Sequence, residues 1–187
     1  MIGVSGLAAI PAVSAPVPIA QLAPVGHQSF ATGSFTIDAP ARDAFTATQP
    51  SSVQWPLAAS TPVSDGYGPR SCTGCSAFHE GIDFTPGGGS SVAAIADGIV
   101  VESEFSGELG QHVILGHLID GVAVLSVYGH LRAGSNTVVA GEAVTRGQTV
   151  GIVGSTGRST GPHLHFGIEI DGSLIDPLPW LTAHAAG

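Results

Sequence analysis

Two stretches of alternating residues, QHVILGHL and VAVLSVYGHL, flank the pair Asp120-Gly121. No other feature constrains the fold as strongly. Asp-Gly accepts the positive φ angles of a two-residue hairpin turn, and period-two alternation on both sides is the pattern of half-buried strands. HLHFGIEI and SLIDP repeat the arrangement around Asp171-Gly172. Shorter strands are expected over 92–95 and 98–102, joined by Asp97-Gly98, and over 150–153. No segment sustains a helical period. The chain carries 27 Gly and 13 Pro with only 10% charged residues, which suits short strands and tight turns. The expected fold is all-β and mostly antiparallel, with a groove bordered by the glycine-rich loops 86–89 and 154–161.

Alternation also assigns side chains to faces. Within 122–131, Val122, Val124, Ser126, Tyr128 and His130 share one face, and Leu125, Val127 and Leu131 share the other, expected to be the core face. Within 163–170, His163, His165, Gly167 and Glu169 lie opposite Leu164, Phe166, Ile168 and Ile170. The polar face of the last long strand thus carries two histidines and a carboxylate.

The remainder of the chain sets its organisation. Residues 1–20 begin an apolar stretch broken by prolines, too interrupted to span a bilayer, and read as an export-related segment. Residues 21–53, rich in Ala, Thr, Ser and Pro, read as a linker or pro-segment, and 54–183 as the folded domain. The net charge is −9, there is no lysine, and the five arginines are scattered, which argues against nucleic acid as a partner. Cys72 and Cys75 lack the second pair that a zinc knuckle needs and the helix that a redox pair needs. The reading preferred is a local disulfide in an exported protein, with free thiols as the alternative.

Eight histidines are many for so sparsely charged a chain. His79 and Asp83 stand four apart in FHEGIDF, but a straight strand would hold them roughly 13 Å apart, so sharing an ion needs a bend at Gly81. His130, at the end of a hairpin strand, reads by itself as a solvated histidine. His112 and His117 fall on opposite strand faces and cannot both serve one site. His79, Asp83 and one of His163 or His165 make a two-nitrogen, one-oxygen set, which leaves a fourth position for water as catalytic zinc requires. The other member of the His-Leu-His pair and His130 would stand beside the ion as free imidazoles. Spacing does not choose between His163 and His165.

Three separated motifs, FHEGIDF, YGHL and GSTGRSTGPHLHF, occur in an order that resembles the M23 zinc peptidases, the lysostaphin/LytM-type peptidoglycan endopeptidases, over about residues 53–181. The resemblance implies that His79, Asp83 and His165 hold one zinc ion per chain and that His130 and His163 are the catalytic pair. It further implies hydrolysis of a peptidoglycan peptide by a secreted or cell-wall-associated enzyme, expected to be a monomer without a stable transmembrane anchor. A catalytically silent wall-binding or hydrolase-activating module is the alternative. The cysteine pair before the first motif is not a general feature of the family.

Overall fold

The computed structural model describes residues 52–71 and 76–185. The disulfide expected between Cys72 and Cys75, the segment 1–20 and nearly all of 21–53 lie outside the described residues. The strands are β1 (Val63–Asp65), β2 (Gly68–Pro69), β3 (Phe78–His79), β4 (Ile82–Phe84), β5 (Ser91–Ala93), β6 (Gly98–Ser106), β7 (Gly110–Ile119), β8 (Val122–Leu131), β9 (Ala143–Val144), β10 (Thr149–Ile152), β11 (Leu164–Ile170) and β12 (Ser173–Ile175). The main sheet has eight strands in the order β1-β4-β11-β8-β7-β6-β9, with β12 also paired to β11. Two further pairs, β10-β5 and β2-β3, lie apart from it. The pairings of these strands are antiparallel throughout, as the sequence pattern requires.

Both Asp-Gly hairpins form. Asp120 and Gly121 take φ of 51° and 81°, and Asp171 and Gly172 take 51° and 75°, which twists each turn the way its strands twist. The third Asp-Gly does not make a hairpin. β5 pairs with β10, while β6 pairs with β7 and β9. Asp97 is otherwise engaged: its carboxylate accepts from Arg146 N at 2.7 Å and its carbonyl from His117 Nδ1 at 2.9 Å.

The core is formed by Ile82, Phe84, Leu115, Tyr128, Leu164, Phe166 and Ile168 of the main sheet, with Val92 of β5 and Val150 of β10. Each large side chain buried there contributes about 1.5–3 kcal/mol. Two sequence expectations fail at this core. First, β8 presents the opposite face: Val124, Ser126 and Tyr128 are buried, while Leu125 and Val127 are only half-buried. The hydroxyls of Ser126 and Tyr128 read as surface groups, but they bond each other at 3.0 Å and are fully enclosed. Second, the described residues include one helix, α1 (Pro177–His184). Asp176 caps it by accepting from Leu178 N at 3.0 Å, Pro177 occupies its first turn, and Trp180 and Leu181 enter the core. Two turns are too short to register as a period.

A bulge in β8 prepares the functional face. Val113 pairs with Tyr128 and Gln111 with Leu131, so His112 alone stands opposite both Gly129 and His130. His130 takes φ of 57°, a conformation rare in non-glycine residues. The extra residue resets the alternation. Leu131 turns into the core, and His130 joins the side of the sheet that carries His165.

Candidate active site

Five residues from four segments meet on the open face of the sheet. His79 ends β3, Asp83 is the middle of β4, His130 lies in the bulge of β8, His165 sits near the start of β11, and His163 stands two residues before it. The bend foreseen at Gly81 is a break between β3 and β4, which pair with different neighbours. Only glycine fits there, since a Cβ on residue 81 would lie 2.3 Å from the Phe166 carbonyl oxygen and 2.9 Å from His165 Cε1. The break brings His79 Nε2 to 3.0 Å from Asp83 Oδ1. In the sheet itself, Asp83 pairs with His165 and His165 with Gly129, so the register of β4, β11 and β8 aligns the site.

Three atoms form the tightest group: His79 Nε2, Asp83 Oδ1 and His165 Nδ1, at mutual separations of 3.0, 3.0 and 3.2 Å. His79 is 2% exposed and Asp83 9%. His79 Nδ1 donates to the Gly66 carbonyl at 2.8 Å, which leaves the Nε2 lone pair aimed at the other two atoms. Such a triangle of acceptors demands positive charge. A proton can satisfy one edge, whereas a divalent ion satisfies all three. Donors around a tetrahedral zinc stand about 3.3–3.4 Å apart, so the spacing suits that ion with slight relaxation. Burial would raise the Asp83 carboxyl, yet the His165 and His79 ring nitrogens beside it hold it well below the usual carboxylate range. His79 is raised: burial opposes its charge, and the contact with Asp83, the charge of Asp83 and the bond to Gly66 together outweigh it.

The remaining pair has a common design. His130 Nδ1 donates to the Thr156 carbonyl at 2.8 Å, and His163 Nδ1 donates to the Gly161 carbonyl at 2.8 Å. Each ring therefore keeps an unspent Nε2. The ring centroids are 4.6 Å apart, and His163 Nε2 is 3.7 Å from Asp83 Oδ1. Burial pushes His130 down to about 4; the bond to Thr156 opposes this and the charges of His163 and His165 add to it.

A cavity of about 330 Å³ and another of about 810 Å³ flank this cluster, and His79, His130 and His165 line both. Loop 154–161 walls the larger through Gly157, Arg158, Ser159, Thr160 and Gly161. The loop 86–89 lines neither and packs behind Pro162 instead, where a Cβ on Gly88 would lie 3.3 Å from Pro162 Cβ. A third cavity, about 650 Å³, contains none of the five residues.

The other histidines separate from the site. His117 is buried in the core and His112 is buried on the site side, where its Nε2 meets Glu102 Oε2 at 3.3 Å. Glu102, Glu104 and His112 are the second group among the described residues with metal-ligating atoms close together, but both of its carboxylates are exposed. His184 stacks on Trp180, and His27 lies outside the described residues. The backbone acceptors that orient the rings, Gly66, Thr156 and Gly161, have no sequence signature, because any residue supplies a carbonyl.

The family described as "Peptidase family M23" matches residues 77–177, more than half of the chain. The chain is 42% identical over 101 residues to the "DD-carboxypeptidase/endopeptidase Mpg" of Neisseria meningitidis serogroup B, an alignment covering 54% of this chain and 22% of the relative. The catalytic domain of lysostaphin from Staphylococcus simulans superposes with a TM-score of 0.58 at 34% identity, covering 65% of this chain and 92% of that domain. A zinc-containing peptidase from Vibrio cholerae superposes with a TM-score of 0.59 at 30% identity, covering 67% and 39%. The chain spans about a quarter of the length of the curated relatives it matches.

Proposed function

This chain belongs to peptidase family M23, and we propose that it is a zinc-dependent endopeptidase that hydrolyses peptide cross-links of bacterial peptidoglycan. The observation that carries the reading is the convergence of three buried donor atoms, His79 Nε2, Asp83 Oδ1 and His165 Nδ1, beside two imidazoles with free Nε2 atoms. The relatives support the substrate class: Mpg is named a DD-carboxypeptidase/endopeptidase, and two Vibrio cholerae relatives are named peptidoglycan DD-endopeptidases.

His79, Asp83 and His165 would hold one zinc ion per chain, which supplies Lewis-acid polarisation of the scissile carbonyl and of the attacking water. Every other step falls to the protein. His130 and His163, each tied at Nδ1, present Nε2 to take the proton of that water and return it to the leaving amine. Whichever of the two carries the proton stabilises the developing oxyanion by charge and hydrogen bonding. The flanking cavities receive the peptide on either side. Residues 54–183 carry this activity as a monomer. Residues 1–20 act in export and 21–53 as linker or pro-segment, and the protein works outside the cytoplasm at the cell wall. Among the described residues no helix is long and apolar enough to cross a membrane.

The test is digestion of purified peptidoglycan followed by mass spectrometry of the fragments. The zinc-loaded protein should release peptides with new termini at the cross-links, chelation should stop release, and added zinc should restore it. Intact cross-links under all three conditions would sink the reading in favour of a silent wall-binding module.

A further inference from the structure

One loop serves both of the site's non-triangle histidines. Between Gly154 and Gly161 it offers the Thr156 carbonyl to His130 and the Gly161 carbonyl to His163, each at 2.8 Å. Those two bonds fix which nitrogen of each ring faces the groove, because a neutral imidazole that donates from Nδ1 presents a lone pair at Nε2. The position of the loop is therefore the position of two lone pairs.

Thr156 sits where the loop meets the bulge. Its hydroxyl accepts from Gln111 N at 2.9 Å and donates to the Leu131 carbonyl at 2.6 Å. Gln111 and Leu131 are the paired residues that close the bulge around His130. One side chain thus bridges β7 and β8 at the bulge, and its own carbonyl orients the histidine held inside. Two neighbours reinforce the joint. Gly110 and Gly157 press backbone against backbone, since a Cβ on Gly157 would lie 2.3 Å from Gly110 N. Arg158 bonds Glu108 twice, from its backbone N to the carbonyl at 2.8 Å and from Nη1 to Oε1 at 2.6 Å.

A left-handed, non-glycine residue persists only where its surroundings over-determine it. His130 is held by its own N–H to the Leu109 carbonyl at 2.8 Å, by its ring to Thr156, and by the hydroxyl bridge beside it. We propose that Thr156 is the positioning residue for His130: its hydroxyl locks the loop to the β8 bulge so that its carbonyl sets the ring for proton transfer. This rests on the hydrolytic reading above.

The experiment compares the zinc-loaded wild type with Thr156→Val and Thr156→Ser, each also combined with His130→Ala, on one soluble cross-linked peptide. Thr156→Val keeps the branched shape and removes the hydroxyl. It should lower kcat about tenfold, a fraction of the 10²–10⁴-fold carried by a general acid–base group, with KM within about twofold and zinc content unchanged. Thr156→Ser should recover to within about threefold of wild type. In the His130→Ala background, Thr156→Val should cost at most about twofold more, because the group it positions is gone and only the effect reaching His163 through the shared loop is left. An equal loss in both backgrounds would overturn the proposal, as would a Ser variant no better than Val or an effect confined to KM. If Thr156→Val does not fold, Glu108→Gln loosens the same loop from its exposed end. It should lower kcat about threefold in the wild type and by clearly less beside His130→Ala; an equal effect in both backgrounds overturns the proposal. An inactive zinc-loaded wild type would instead refute the hydrolytic reading.

Discussion

The sheet formed by β7, β8 and β11 carries a buried histidine network on each face, and the two are built to opposite ends. On the core face, His117 Nε2 meets Ser126 Oγ at 2.8 Å, Ser126 meets Tyr128 Oη at 3.0 Å, and Tyr128 accepts from Ile95 N at 3.1 Å. His117 Nδ1 donates to the Asp97 carbonyl at 2.9 Å. Every polar atom in that chain is spent on another part of the protein. On the site face, Nδ1 of three histidines is spent on backbone carbonyls, while their Nε2 atoms turn towards one shared space. Burial and hydrogen bonding are common to both networks. What separates them is the direction of the unspent lone pairs: a closed network ties elements together, and an open one can bind and transfer.

That contrast can be broken experimentally, and the largest effect belongs to the open network. His165→Ala removes one corner of the triangle and should leave an uncompensated Asp83 carboxylate beside His79. Zinc content measured by atomic absorption should fall towards zero, and cross-link cleavage should become undetectable. Retained zinc with retained turnover would detach the triangle from the activity. His163→Ala should keep one zinc per chain and lose about 10²–10⁴-fold in kcat, since it deletes a proton carrier and no ligand. A comparable loss of zinc would show that the ring is a ligand.

The closed network should respond in stability alone. Tyr128→Phe strips the partner from Ile95 N and Ser126 Oγ and should destabilise by about 1–3 kcal/mol in urea unfolding, with kcat within about twofold of wild type. A smaller effect concerns pH. Burial lowers His117, against the pull of Asp97. Its folded pKa lies below the unfolded value near 6.5, so the unfolded chain takes up the proton first as pH falls. Stability from this group is thus intact above about pH 6.5 and is lost as pH drops towards the folded pKa, at a slope of at most about 1.4 kcal/mol per pH unit. Thermal unfolding between pH 7.5 and 5 should show the decline, and His117→Gln should flatten it. An unchanged slope would mean that His117 binds its proton equally in the folded and unfolded chain.

Much of this molecule was legible residue by residue. Asp120-Gly121 and Asp171-Gly172 turn as their φ preferences demand, and β11 presents its core and site faces as its alternation implies. The identities of His79, Asp83, His130, His163 and His165 are enough to nominate one constellation. Other readings failed for reasons equally physical. The alternation of β8 points to the wrong face because Ser126 and Tyr128 carry hydroxyls, and nothing local shows that His117 and Ile95 will satisfy them. Asp97-Gly98 resembles the true hairpin turns, but its carboxylate and carbonyl are taken by Arg146 and His117 from distant strands.

The sequence by itself determined what nearest neighbours determine: turn positions, strand period and the chemical kinds of side chain available. Only the tertiary structure decided which atoms meet. His165, rather than His163, closes the triangle because β11 pairs with β4 in the register that sets His165 against Asp83. His130 reaches the same space because a single bulge opposite His112 reverses its face. His79 and His165 lie 86 positions apart in the chain, yet their ring nitrogens stand 3.0 Å apart. No local preference encodes such a distance; strand register and one left-handed residue do.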